Sequence, residues 1–305
     1  MAYLILAHED ENQLDALIDV LVPPGSPDVA IVHADRRSAL WNILRRRPAD
    51  PDGRMVLVPD PVAVRWGHHG QIEAIAKLVA AAVRAGCDYA HLISGADWPI
   101  APREQIVAEI TRENGLCHLE ARAGHLEERM QTFRFDTRWL RLDPQKDRRT
   151  YAVTWELRRL ARWFDAARRH FGLERPRPWG EWRYGSQWWS LPADALGVLA
   201  RELPRLIASG RLAGTICADE HVVPTIIAHA FPGRLADNRR FIDFPPGASS
   251  PRVLDASHRS AILASGAWFM RKVSRDHSPF FEEFPVRPAE PLPDGLGKVV
   301  NSSHL

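Results

Sequence analysis

The stretch Asp88 to Ile100, DYAHLISGADWPI, holds the most suggestive side chains. Tyr89–Ile93 reads as a short buried strand that runs into a Ser-Gly turn and stops at Pro99. A strand ending in a polar turn places side chains at the carboxyl edge of a sheet, where open α/β sheets bind ligands. The turn offers Ser94, a flexible Gly95 and one carboxylate, Asp97. A second polar segment, His33-Ala34-Asp35-Arg36-Arg37-Ser38, follows another apolar run. Asp35 there can accept hydrogen bonds from a base or ribose hydroxyl, and Arg37 can approach a phosphate. The plainer reading is that Ser38 caps a helix and the charges are solvated.

Further segments add other chemistries. Val64-Arg65-Trp66-Gly67-His68-His69-Gly70 brings two glycines to a helix N-terminus, a natural anion site. Adjacent His68 and His69 point to different sides and suit a shared metal poorly; one of them capping the helix explains them as well. In Tyr184-Gly185-Ser186-Gln187-Trp188-Trp189-Ser190-Leu191, alternation would put the two Trp side chains on opposite faces of a strand. One then belongs to the core, and the other either stacks on a sugar ring or packs too. Ala218-Asp219-Glu220-His221 falls at a helix start. Asp219 suits a cap, and Glu220 suits a base that takes a proton from an attacking hydroxyl. Alone, the pattern is a cap with a solvated Glu. Arg252 and Lys272 are two cations that, brought onto one pyrophosphate, would replace Mg²⁺ as charge stabiliser. A single Asp97 in place of the Asp-x-Asp clamp of many nucleotide-sugar transferases directs attention the same way.

The elements that must position these groups alternate. Strands are expected at Ala2–Ala7, Val29–His33, Met55–Val58 and Tyr89–Ile93, and helices at Glu11–Leu21, 38–47, Gln71–Ala85 and Arg103–Arg112. That order predicts βαβ units and a mostly parallel sheet. The charged stretch Glu120–Thr150 reads as an extended loop over the sheet edge. An amphipathic Arg-rich helix is expected at Thr154–Phe171, a strand at Trp188–Leu191, helices at Pro192–Ser209 and Asp219–Ala230, and a strand at Arg240–Phe244. One domain, residues 1–284, precedes a Pro-rich tail, 285–305.

Composition narrows the classes. The 305 residues are 45% hydrophobic and 26% charged, with net charge +2, which argues for a soluble globular protein and makes no case for nucleic acid. Only four of the 40 basic residues are Lys, which reads as genomic base composition. Cys87, Cys117 and Cys217 form no CxxC pair and suit reduced thiols in the cytoplasm. No run approaches the ~18 apolar residues of a membrane span. MAYLILAHEDENQ lacks the basic start of a signal peptide. Eleven Trp give weak support for sugar binding.

In order and spacing, YLILAH, VHAD, VRWG, LISGADWPI, GSQWWSL, ADEHVVPTII and WFMRK resemble the core-2/I-branching glycosyltransferase family over about residues 2–273. That family includes β-1,6-N-acetylglucosaminyltransferases and peptide O-xylosyltransferases. The resemblance implies a GT-A fold, a UDP-sugar donor, inversion at the anomeric carbon and neither metal nor other cofactor. By position, Glu220 matches the catalytic base. Lys272 matches the lysine of the family's FARK run that meets the diphosphate, and Arg252 its basic partner. Asp35 and Arg37 fall in the nucleotide segment, and Ser94 and Asp97 in the SGxD turn. Trp188 matches an aromatic on the acceptor side, with Gln187 and Trp66 placed beside it.

Departures are Ala218 for the usual Pro, Met270 for Ala, and Gln187 where xylosyltransferase-like members tend to carry Asp. The last weighs against xylose, leaving GlcNAc as the expected sugar and xylose as the alternative. The membrane stem of the eukaryotic enzymes has no counterpart. This implies a bacterial cytoplasmic enzyme that builds a surface polysaccharide or similar glycan, with peripheral membrane association through a lipid-linked acceptor as one expectation. Glu120–Thr150 and Trp179–Trp189 are expected to shape the acceptor site. Two other classes compete: a non-catalytic nucleotide- or carbohydrate-binding module on the same fold, and a metal-dependent transferase using Asp50-Pro51-Asp52, a triplet misplaced before the third strand.

Overall fold

The computed structural model describes residues 1–48, 50–131, 148–173, 175–246, 248 and 250–285. The tail beyond residue 285 and residues 132–147 of the expected loop lie outside the described residues.

The first half alternates as its hydrophobic pattern demands. Strands β1 (Ala2–Ala7), β2 (Val29–Ala34), β3 (Met55–Leu57) and β4 (Tyr89–Ser94) are separated by α1 (Glu11–Leu21), α2 (Ala39–Leu44) and α3 (Gly70–Arg84). Asp10 caps α1 by accepting the Gln13 N–H, and Ser38 caps α2 by accepting that of Trp41. Apolar residues recur at helical spacing along α3, and Gly86, at φ 68°, follows its end. Then come β5 (Asp97–Pro99), α4 (Arg103–Glu113), β6 (Cys117–His118), β7 (Arg122–Ala123), α5 (Glu128–Gln131), α6 (Arg148–Val153) and α7 (Trp155–His170). The last third holds β8 (Arg183–Tyr184), β9 (Ser190–Pro192), α8 (Ala193–Ala208), α9 (Val222–Ala230), β10 (Leu235–Ala236), β11 (Arg240–Ile242), α10 (Arg259–Ala264) and β12 (Phe269–Arg271).

Seven of the described strands form the central sheet, in the order β10-β6-β9-β4-β1-β2-β3. β1 is parallel to β2 and β4, and β2 to β3; β9 alone is antiparallel to its neighbours β4 and β6. This is the mostly parallel α/β architecture, flanked by helices, that the alternating pattern and a GT-A fold require. Both faces of the sheet are covered, so its central strands are buried and mainly apolar, with His33, His91 and Ser94 as buried polar exceptions. Ala2 and Leu4 pack with α3, α8 and α9, while Tyr3, Ile5 and Ala7 pack with α1, Trp98, Trp268 and Phe269. A second sheet, β11-β12-β5, hangs from the end of β4.

Candidate active site

Every site segment read from the sequence meets a neighbour at one rim of the fold. β2 and β4 both end against β1: the Asp35 N–H donates to Ala7 O at 2.9 Å and the Gly95 N–H to Leu6 O at 3.0 Å. Asp35 accepts the Arg37 N–H at 2.8 Å, and Arg37 Nη2 donates to Val64 O. Three residues on, Gly67 O accepts the Cys217 N–H at 3.0 Å, placing Trp66 and Gly67 beside the Ala218–Glu220 turn. Gly67 has φ 66°, which favours glycine. Trp66 itself is more than half exposed. His68 Nδ1 accepts the Gly70 N–H at 2.9 Å, the expected helix-start role.

Glu220 lies on a short 3-10 turn, Ala218–Glu220, and not on α9, which begins at Val222. Cys217 takes a left-handed φ of 49° to enter that turn. Asp219 therefore does not cap the helix as expected: its carboxyl is buried ahead of it. The Glu220 carboxylate is 30% exposed, and its Oε2 accepts from Arg129 Nη1. Burial pushes the Glu220 pKa above the usual carboxylate range, and Arg129 pulls it back. Burial and then the Glu220 charge push Asp219 up as well. Tyr184 lies under the cluster, with the Arg129 guanidinium 5.9 Å from its ring centre and the His221 ring 5.5 Å away.

The Glu220 carbonyl holds the next segment by accepting the Gly185 N–H at 2.9 Å. A Cβ on Gly185 would stand 1.9 Å from Glu120 O, so only glycine fits. β7 pairs with β8 here, Arg122 against Tyr184, bringing the two expected acceptor-side stretches together where they are described. Trp188 and Trp189 are both buried, and the strand starts only at Ser190, so the expected alternation fails. Trp188 instead lies under Arg271, whose guanidinium carbon is 4.4 Å from its ring centre. Gln187 Nε2 is buried without a hydrogen-bond partner among the described residues.

Arg271 carries the line of contacts back to β4. Its Nη1 is 2.6 Å from Asp97 Oδ1, and Asp97 Oδ2 accepts the Ser94 N–H at 2.9 Å. The Ser94 hydroxyl accepts the Ala96 N–H at 3.1 Å. Asp97 is thus buried against a cation, and the turn needs a carboxylate for its own structure. Lys272 follows Arg271, and its carbonyl accepts the Leu254 N–H at 2.8 Å, laying the Arg252 segment alongside. The Arg252 guanidinium is turned to Asp243, 2.8 Å away. Asp50 is spent on its own turn, accepting the Met55 N–H at 3.0 Å. Among the described residues, no three His, Cys, Asp or Glu side chains gather as a metal site.

The sequence reading passed over Arg129, Tyr184 and Arg271. Arg129 sits in a charged stretch without a motif. Arg271 and Tyr184 stand inside quoted segments, where only strand pairing shows which neighbour faces the site.

No curated protein matches the chain. Solved structures that resemble it include a Bacillus anthracis protein described as a glucose-1-phosphate thymidylyltransferase in complex with sucrose. That match has 12% identity and a TM-score of 0.35, over 78% of this chain and 86% of that one. Another is HddC from Yersinia pseudotuberculosis complexed with GMP-PN, at 9% identity and a TM-score of 0.26, over 45% of this chain and 65% of that one. Neither likeness bears on chemistry. The family model of the Core-2/I-Branching enzyme matches residues 1–258, and the chain belongs to that family of glycosyltransferases.

Proposed function

We propose that the protein transfers a sugar, GlcNAc in the first instance, from a UDP-sugar to a hydroxyl of a glycan acceptor, with inversion and without a metal ion. The observation that supports this reading is the run of contacts, joined by short steps of chain, from Asp35 through Gly67, Glu220, Gly185 and Trp188 to Arg271 and Asp97, with Lys272 next in the chain. The line joins the segments that the family resemblance assigns to nucleotide, base, acceptor and diphosphate.

In this mechanism the acceptor oxygen attacks the anomeric carbon from the side opposite the diphosphate. Its proton passes to the Glu220 carboxylate as the new C–O bond forms. The bond from the anomeric carbon to the diphosphate oxygen breaks, and UDP leaves with the electron pair. Lys272 and Arg252 balance the charge gathering on that leaving group, Arg252 turning from Asp243 to do so. Asp35 and Arg37 hold the nucleotide, with Ser94 and Asp97 shaping the turn beneath it. Gln187 gives its unpaired Nε2 to a sugar oxygen, which relieves a buried donor that otherwise costs about 1–3 kcal/mol. Trp188 and Trp66 wall the acceptor side.

Glu220→Gln keeps the shape and removes the base. Transfer from UDP-GlcNAc, with UDP-xylose assayed alongside, falls by about a hundredfold to ten-thousandfold if Glu220 is the base. A folded variant that retains transfer overturns the assignment.

A further inference from the structure

Helix α7 is turned inside out for a surface helix. From Thr154, just before it, inward positions recur at helical spacing as Thr154, Arg158, Ala161, Asp165 and Arg168, with Thr154 and Asp165 buried and the rest half-buried. The outward stripe, at the same spacing, is Leu157, Leu160 and Phe164, extended by Val153 at the end of α6 and Phe171 just past α7, all exposed. Trp163 beside it is 73% exposed and Phe171 75%, far beyond the scattered apolar residues of an ordinary surface. A water-facing helix places its apolar stripe on the core; this one does the reverse.

Charge says what covers the stripe. Residues 148–173 hold seven Arg against Glu156 and Asp165, in a chain whose total net charge is only +2. A second copy docked on the stripe would bring two such basic segments together, and like charges oppose that. At the C-terminal end of α7, a pocket of about 220 Å³ is lined by Arg168, Arg175 and Arg211 with Trp182 and Met130. Burial, and then repulsion from Arg168, lower the Arg175 pKa, and Asp165 opposes them. Arg175 Nη1 donates to Arg211 O at 2.8 Å and its Nη2 to Ala213 O, which fixes the guanidinium at the pocket wall. An apolar stripe with Trp at its border, basic residues around it and a cationic pocket at its end is complementary to an anionic lipid surface. Among the described residues no helix is long and apolar enough to cross a membrane, so the contact would lie in the interface plane.

We propose that α7 docks on an anionic bilayer, with Leu157, Leu160, Trp163, Phe164 and Phe171 entering the headgroup–acyl boundary and the Arg168–Arg175–Arg211 pocket taking a lipid phosphate. This docking needs neither the donor nor the acceptor assignment, and lipid and nucleotide binding are measured separately.

The test floats the full chain with vesicles of phosphatidylcholine alone or one-third phosphatidylglycerol. The protein partitions onto the anionic vesicles, and added salt weakens the binding. Trp163→Ser with Phe164→Ser weakens it at least about tenfold, with unchanged melting temperature and UDP response. Leu157→Ser with Leu160→Ser repeats the result should the first pair melt lower. Arg211→Glu weakens binding to the phosphatidylglycerol vesicles. Absence of vesicle binding, or binding that both stripe variants retain, overturns the proposal. So does a dimer that the stripe variants dissolve without any lipid binding.

Discussion

Glu220 is held between two opposing influences. Burial favours its neutral form, and the Arg129 guanidinium favours the carboxylate. A base must be deprotonated before it can act, so the acid limb of the pH–rate profile reports the balance. Replacing Arg129 by Gln removes the cation and leaves the burial. The Glu220 pKa then rises, and the acid limb of kcat/KM moves to higher pH, while activity well above that limb falls less. A limb that stays in place would separate Arg129 from the base. Asp219 adds to the effect, because a second buried carboxyl beside Glu220 makes proton loss from the pair stepwise. Glu220, Lys272 and Asp97 were singled out by the order of their motifs, since each alone reads as an ordinary cap, surface or turn residue. The Arg129 contact was not, because it joins residues far apart in a chain with no pattern to announce it.

At the scale of elements, the rim is built by turns. The Ala218–Glu220 turn, the Gly67 turn and the Gly185 segment hold one another through main-chain hydrogen bonds. Such bonds leave no side-chain signature. That is why periodicity extended α9 back to Asp219, which lies in the 3-10 turn, and gave Trp188 to a strand, when it lies in irregular chain before β9. Periodicity did place β1 to β4 and their helices to within a residue or a few, since a sheet buried on both faces demands apolar runs. β12 and β5 were missed although β3 and β11, equally short, were not: Asp97–Pro99 reads as the turn after β4, and Phe269–Arg271 as an apolar patch before Lys272. Gly185 is the most exacting of the turn residues. Gly185→Ala drives a methyl into Glu120 O, and the expected loss is about 1–3 kcal/mol of stability, with a fall in transfer, as the segment carrying Gln187 and Trp188 shifts. Chemical denaturation and initial rates together check this. A variant as stable and active as the parent would show that the rim is looser than drawn.

Across the whole molecule, buried imidazoles make stability depend on pH. His33 accepts the Val62 N–H at 2.8 Å, and burial lowers its pKa to about 4. Burial lowers His91, His118 and His221 too. The unfolded chain binds protons to these groups from about pH 6.5 downward, while the folded chain does not. Stability is therefore fully present above that pH and is lost as pH falls toward about 4. For His33 alone the loss is roughly 3 kcal/mol. His33→Gln keeps an acceptor for Val62 and removes the titration, so its denaturation midpoint falls less steeply over that range. Equal slopes in the two proteins would assign the acid lability elsewhere.

The same scale holds the central claim, that one rim gathers a uridine diphosphate onto cations without a metal. Thermal shift with UDP, UDP-GlcNAc, UDP-xylose, UDP-glucose and GDP-mannose, each with and without EDTA, tests it most directly, because a ligand that binds the folded state raises its melting temperature. The account predicts stabilisation by uridine nucleotides that EDTA leaves intact and that Lys272→Ala removes. Indifference of the folded protein to every uridine nucleotide, or stabilisation that vanishes with EDTA, would contradict it.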